Sequence, residues 1–135
     1  MGHIAPLSFK VASTLSAYRV VCALSSTANT VAYPESNIRL PLGITVDDAD
    51  DGLNGIAVSG PGTIAKLYFN DTVTTGQLVA ANSSGQGVPF TLGAHTTTAM
   101  TFTTAYVGVL IGPTVAATGT IAEVYIMPGY SRGNS

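Results

Sequence analysis

Residues 52–87, GLNGIAVSGPGTIAKLYFNDTVTTGQLVAANSSGQG, give the clearest indication of how the chain folds. The stretch contains three short apolar runs, at 55–59, 63–69 and 77–82, with turn-forming residues between them. Gly60-Pro61-Gly62 forms the first turn, because Pro fixes φ at one turn position and Gly accepts positive φ at the next. Turn signals about every ten residues predict an antiparallel meander of short strands.

The rest of the chain has the same character. Further strands are predicted at 9–11, 17–24, 30–33, 38–46, 88–92, 96–104, 106–111 and 120–127. Pro41 and Gly43 lie inside one of these runs, so that strand is expected to be at an edge, bulged or broken. No window shows a convincing 3.6-residue period, because Gly and Pro interrupt every candidate helix. We therefore predict an all-β fold of about nine to eleven short, mostly antiparallel strands in a barrel or sandwich, with little or no helix.

In two of the predicted strands, at 63–69 and 120–127, the two-residue alternation shows which side chains share a face. In the run 63–69, one face carries Ala65, Leu67 and Phe69, and the other carries Ile64, Lys66 and Tyr68. Both faces are largely apolar, so this strand is predicted to be central or covered on two sides. In the last strand, one face carries Ala122, Val124 and Ile126, and the other carries Ile121, Glu123, Tyr125 and Met127.

Length and charge limit the possible functions. The 135 residues suit one domain, with a predicted N-terminal arm at 1–9, a single β domain at 10–130 and a polar tail at 131–135. Charged residues make up only 9% of the chain and the net charge is −2, so nucleic acid is not an expected partner. A surface with so little charge favours burial against partner proteins, and hence an oligomer, over a monomer with a free Thr-rich surface.

The sequence carries no signal for secretion or for membrane insertion. Residues 1–10 lack a basic n-region followed by a long apolar core, and no stretch approaches the length of a membrane span. Cys22 is the only cysteine, so no disulfide framework is expected. It lies in the apolar run VVCAL, which is typical of a buried structural thiol. We expect a protein that is made in a reducing cytoplasm and does not enter a membrane.

The residues that could carry chemistry are few and scattered. Residues 47–51, DDADD, allow two interpretations: a calcium site, or a solvated acidic loop. The loop reading is favoured, because the spacing departs from that of an EF-hand and no helices flank it. His3 and His95 are the only histidines, and no nucleophile-elbow motif accompanies them. We therefore expect no catalytic activity, no cofactor and no metal ion.

Six short motifs occur in an order that is similar to one family. They are LSAYRVV at 15–21, LGI at 42–44, VSGPG at 58–62, GQLV at 76–79 with SSG at 83–85, VGVL at 107–110, and PG at 128–129. In this order they resemble the capsid decoration, or cement, proteins of tailed bacteriophages. The resemblance runs from about Lys10 to Gly129, and the order of the motifs carries it more than any single motif does.

The resemblance implies both a fold and a role. It implies a small β-barrel or β-tulip protein that forms homotrimers on the outside of an icosahedral head, at or near three-fold positions between capsomers. The implied partner is the major capsid protein of a tailed phage, and the implied role is to stabilise the expanded head against internal DNA pressure. The protein would then be part of the virion exterior, and no catalytic residues carry over from the family.

The predicted contacts with the capsid or a neighbouring subunit lie in two places. They are His3, Ile4, Pro6 and Leu7 in the arm, and Tyr125 and Met127 in the last strand. An alternative function is a β-sandwich or barrel module on a virion that binds carbohydrate or a host receptor. Such a module would need an exposed aromatic platform, but the chain has no Trp, and its Tyr and Phe residues lie mostly within strand patterns.

Overall fold

A computed structural model describes residues 7–11, 13–24, 28–34, 40–49, 56–90 and 103–132. These residues form ten strands and no helix. The strands are β1 (Leu7–Val11), β2 (Val20–Ala23), β3 (Thr30–Ala32), β4 (Pro41–Thr45), β5 (Ile56–Ser59), β6 (Ile64–Tyr68), β7 (Leu78–Ala81), β8 (Gly87–Pro89), β9 (Thr103–Leu110) and β10 (Ile121–Arg132). The predicted all-β class is confirmed, and the number of strands lies within the predicted range.

The first sheet closes on itself. Its strand order is β1-β3-β2-β4-β5, and β5 pairs with β1 to complete the ring. β1 runs parallel to β3, and the other pairs are antiparallel. One cluster of buried side chains in this half contains Val11, Leu15, Val21, Val31, Ala49 and Val58. Closure removes the free edges of this sheet, which matches the prediction of a barrel.

The second sheet is open and has the order β6-β10-β9-β7-β8. β10 lies inside it and pairs antiparallel with β6 on one side and with β9 on the other. Its core includes Leu67, Phe69, Val107, Val124 and Ile126. Val20 and Ile44 of the first sheet belong to the same cluster, so this apolar core is shared by the two sheets, and the ring holds a second cluster of its own.

The predicted meander is wrong in its pairing, although its three strands are present. β5 pairs with β1 and β4, β6 pairs with β10, and β7 pairs with β8 and β9. The reason lies at the turn between β5 and β6. Gly62 N donates to Ile126 O at 2.8 Å, and Ile126 N donates to Thr63 O at 2.9 Å. The chain therefore leaves the turn paired with β10 instead of folding back on β5.

Three other expectations about the strands need correction or refinement. β6 is an edge strand of its sheet with an exposed outer side, not a strand covered on both faces. β10 continues past Pro128-Gly129, because a register shift between Ile126 and Gly129 absorbs the proline. β4 pairs on both sides, and a register shift opposite Pro41 shows that the bulged alternative is the correct one. Cys22 is buried at 2% exposure, as predicted.

The segment before β2 is hydrogen-bonded to Thr45 of β4 on one side and to Tyr68 of the second sheet on the other. Thr45 is 1% exposed, its Oγ1 accepts from Arg19 N at 3.0 Å, and the same hydroxyl donates to Ser16 O at 2.8 Å. Tyr18 has a φ of 61°, so its backbone is not extended, and β2 begins only at Val20. Tyr18 O then accepts from Tyr68 N of the second sheet at 2.9 Å. The Arg19 guanidinium lies 4.1 Å from the centre of the Tyr68 ring.

Both ends of the described chain belong to strands. β1 begins at Leu7, within the segment that the sequence assigns to the arm, and Leu7 pairs with Val58. β10 ends at Arg132, within the predicted tail, and Arg132 pairs with Thr103. None of the described residues forms a helix of the length and apolarity needed to cross a bilayer.

Candidate functional site

The outward side of β6, β10 and the end of β9 forms an apolar surface, called the outer face below. Along β10, side chains from 121 to 127 alternate between exposed and buried positions. The exposed large apolar side chains of this face are Ile64, Ile111, Ile121, Tyr125 and Met127, with exposures between 39% and 56%. They are five of the seven such side chains in the described ranges, so exposed apolar area is concentrated on one side of the molecule.

The strand register fixes the neighbours on the outer face. Tyr125 lies opposite Ile64 on β6 and opposite Val109 on β9. One row further along, Glu123 lies opposite Lys66, and a basic and an acidic side chain are thus direct cross-strand neighbours. The rows on either side of this pair are Ile121 with Tyr68 and Tyr125 with Ile64, and the Arg19 guanidinium lies over the Tyr68 ring.

An apolar groove lies at one end of the outer face. It has a volume of about 480 Å³ and is lined by Leu40, Pro41, Leu42, Pro61, Gly62, Tyr125, Ile126, Met127 and Pro128. Among the lining residues that the structure describes, none carries a charge. The lining comes from both sheets, because the start of β4 and the turn after β5 lie beside the bulged part of β10. A groove of this kind suits an apolar side chain or a short extended segment of a protein.

Local sequence explains why β10 bends at the groove. Pro128 has no N–H to donate, and the register with β9 shifts by one residue between Ile126 and Gly129. Gly108 lies opposite Ile126, and a Cβ added at this glycine would overlap the carbonyl oxygen of Tyr125. The close approach of the two backbones therefore requires glycine, and it holds Tyr125 against β9.

The structure brings together only part of the predicted contact set. Tyr125 and Met127 lie side by side on the outer face and both line the groove. Leu7 lies in β1, on the strand that pairs with β5. His3, Ile4 and Pro6 lie outside the described residues. Sequence reasoning missed the groove-lining residues Leu40 and Pro61, although the apolar Leu40 next to Pro41 was a usable signal for the first of them.

The described part of the acidic loop, residues 47–49, does not form a metal site. Asp47 and Asp48 are exposed, and Asp48 Oδ1 accepts a hydrogen bond from Ala17 N at 2.7 Å. Asp50, Asp51 and His95 lie outside the described residues. Within the described ranges, no three His, Cys, Asp or Glu side chains are grouped so that they could hold a metal ion.

Comparison with known proteins gives one informative likeness. No protein-family model matches the sequence, and no curated protein matches it. Among solved structures, the fold is similar to the crystal structure of the head fiber gp8.5 N base in bacteriophage phi29, with a TM-score of 0.65 and 16% sequence identity. The likeness covers 90% of this chain and 92% of the other. At this identity the comparison establishes a shared fold.

Proposed function

We propose that this protein is a structural component of a bacteriophage virion. The observation that carries the proposal is the likeness to a head fiber base over nearly the full length of both chains. Sequence resemblance to capsid decoration proteins supports the same class independently, because it rests on the order of six motifs. Both the structural likeness and the sequence resemblance are to structural proteins of phage heads.

In the fuller form of the proposal, the protein sits on the outer surface of a tailed-phage head, between capsomers, as a homotrimer. The major capsid protein is its partner, and its role is to stabilise the expanded head against internal DNA pressure. It acts by adhesion and not by catalysis, and it uses no cofactor. Neither nucleic acid nor a membrane is a partner in this role.

The outer face is the surface that we assign to head contact. Each of its half-exposed apolar side chains gains about 1 kcal/mol when it becomes fully buried against a partner. Glu123 and Lys66 on this face are cross-strand neighbours of opposite sign, and the Arg19 guanidinium at its edge lies over the Tyr68 ring. Three copies on one trimer multiply the effect, since the second and third contacts form at high effective concentration.

Binding to purified expanded heads tests the assignment. The wild-type chain is expected to sediment with heads that lack it, and the double variant Ile64→Ser with Tyr125→Ser is expected to bind at least about tenfold more weakly. Val46→Ser is the matched control, because Val46 is similarly exposed at 37% but lies outside the outer face. Equal binding by the double variant and the control would refute the contact surface, and failure of the wild type to bind would refute head attachment.

Two further measurements test the remaining parts of the proposal. Light scattering of the free protein is expected to give three times the mass of one chain, and a monomer would overturn the homotrimer. Heads carrying the protein are expected to retain their DNA at a higher temperature than bare heads. If the temperature of DNA release were unchanged, the protein would not have the stabilising role, even if it binds to heads.

A further inference from the structure

We propose that the outer face is self-complementary and pairs with the outer face of a second copy in concentrated protein. The register between β6 and β10 is the first reason, because it arranges the outward-facing side chains of these two strands in three rows. From one end of the face to the other, the rows are Tyr68 with Ile121, Lys66 with Glu123, and Ile64 with Tyr125. Each row therefore contains either two large apolar or aromatic side chains or one pair of opposite charges.

A two-fold axis gives each of these rows a matching partner. If the axis lies between the two copies and runs parallel to the strands, midway between β6 and β10, it places β6 of each copy over β10 of the other. Every row then faces the same row with its two members exchanged. Lys66 faces the partner's Glu123, and Ile64 faces the partner's Tyr125. Sheets that stack face to face in proteins lie about 10 Å apart with their strands aligned within about 30°, which suits this arrangement.

Charge selects this arrangement over the other way of stacking the face on itself. If the axis ran across the strands, full overlap of the three rows would place Lys66 over the partner's Lys66 and Glu123 over the partner's Glu123, so that like charges would meet. With the axis along the strands, each charge of this row has an opposite charge beside it and another facing it. The Arg19 guanidinium lies over the Tyr68 ring at the edge of the face, and the partner side chain that faces Tyr68 is apolar.

The size of the matched area sets the strength of the pairing. Two strands and three rows cover about 10 by 20 Å, which is less than the roughly 800 Å² that each partner buries in a stable dimer. Self-pairing is therefore weak, and it needs either concentrated protein or several faces that act together. The pairing itself concerns the protein without heads. Its consequence for assembly rests on the function proposed above: paired copies cover the side chains assigned to head contact, so heads and second copies compete for this face.

Charge reversal in the central row tests the proposal by sedimentation velocity of the full-length chain, without heads. Lys66→Glu makes the row wholly acidic and Glu123→Lys makes it wholly basic, so neither single variant is expected to pair with itself. A one-to-one mixture of the two variants places acidic rows over basic rows and is expected to pair. The double variant Lys66→Glu with Glu123→Lys restores a row of opposite charges and is expected to pair with itself. Both substitutions are at exposed positions, and circular dichroism checks that every variant keeps the β fold.

All samples are compared over the same range of protein concentration. The wild type, the mixture and the double variant are expected to approach twice the mass of either single variant, with an association constant at least about tenfold higher. This ratio is the same whether the unit that pairs is one chain or a trimer. Equal masses for all samples would overturn the proposal, and so would a mixture that associates no more than its two components. No phage head is present, so the outcome is separate from that of the head-binding assay.

Discussion

Replacing Thr45 by Val removes a hydroxyl that ties β4 to the segment before β2, while it keeps the shape of the side chain. In the wild type, Thr45 Oγ1 accepts from Arg19 N at 3.0 Å and donates to Ser16 O at 2.8 Å. Thr45→Val leaves both backbone groups without this partner at a side chain that is 1% exposed. Each unsatisfied group costs about 1 kcal/mol or somewhat more, so we expect a loss of about 2–3 kcal/mol in the free energy of unfolding.

Urea denaturation followed by circular dichroism measures this loss. Thr45→Ser is the control, because it keeps the hydroxyl and removes one methyl group, for which we expect a loss of about 1 kcal/mol. Both variants should show the slope of the wild type against urea concentration, so that the shift in midpoint reports stability alone. The reasoning would be refuted if Thr45→Val were as stable as the wild type, or more stable than Thr45→Ser.

Three other substitutions test the core, the close strand contact and one turn. Ile126→Ala, at a fully buried site, is expected to lower the free energy of unfolding by about 3–4 kcal/mol in the same denaturation assay, and a loss below about 1 kcal/mol would contradict the shared core. Gly108→Ala places a methyl group on the carbonyl oxygen of Tyr125, so a loss of about 2 kcal/mol or more is expected in thermal unfolding, and an unchanged melting temperature would disprove the close approach. Asn82→Ala removes an acceptor for Ser84 N and Gln86 N, each at 3.0 Å, and should lower the free energy of unfolding by about 1–2 kcal/mol. Asn82→Asp keeps that acceptor and should recover most of this stability. Equal losses in both variants would argue against the role of Asn82 in the turn.

Alternation along single strands allowed the faces of β6 and β10 to be predicted. Leu67 and Phe69 are buried as the two-residue period indicates, and so are Val124 and Ile126. The period does not say which strand is the neighbour, however, because pairing depends on residues far apart in the chain. The predicted meander failed for this reason: the partner of β6 comes more than fifty residues later, in β10.

The candidate site was predictable only where one strand defines it. Tyr125 and Met127 follow from the alternation in β10, since their neighbours on either side point into the core. The groove also needs Leu40 and Pro61, which meet β10 only because the two sheets pack together. Nor does the sequence reveal the positive φ of Tyr18, because no glycine marks the position, and the strand was predicted to begin too early.

The position of β10 in the second sheet has a consequence for synthesis of the protein. This strand is the last of the ten to leave the ribosome, yet it lies between β6 and β9. The ring of β1–β5 can form as soon as residue 59 has emerged, whereas β6 has no ladder partner until translation has passed residue 125. A nascent chain stalled before β10 would thus expose one side of its core. The second sheet is therefore completed only after β10 has been made, and until then this half is the more vulnerable to proteases.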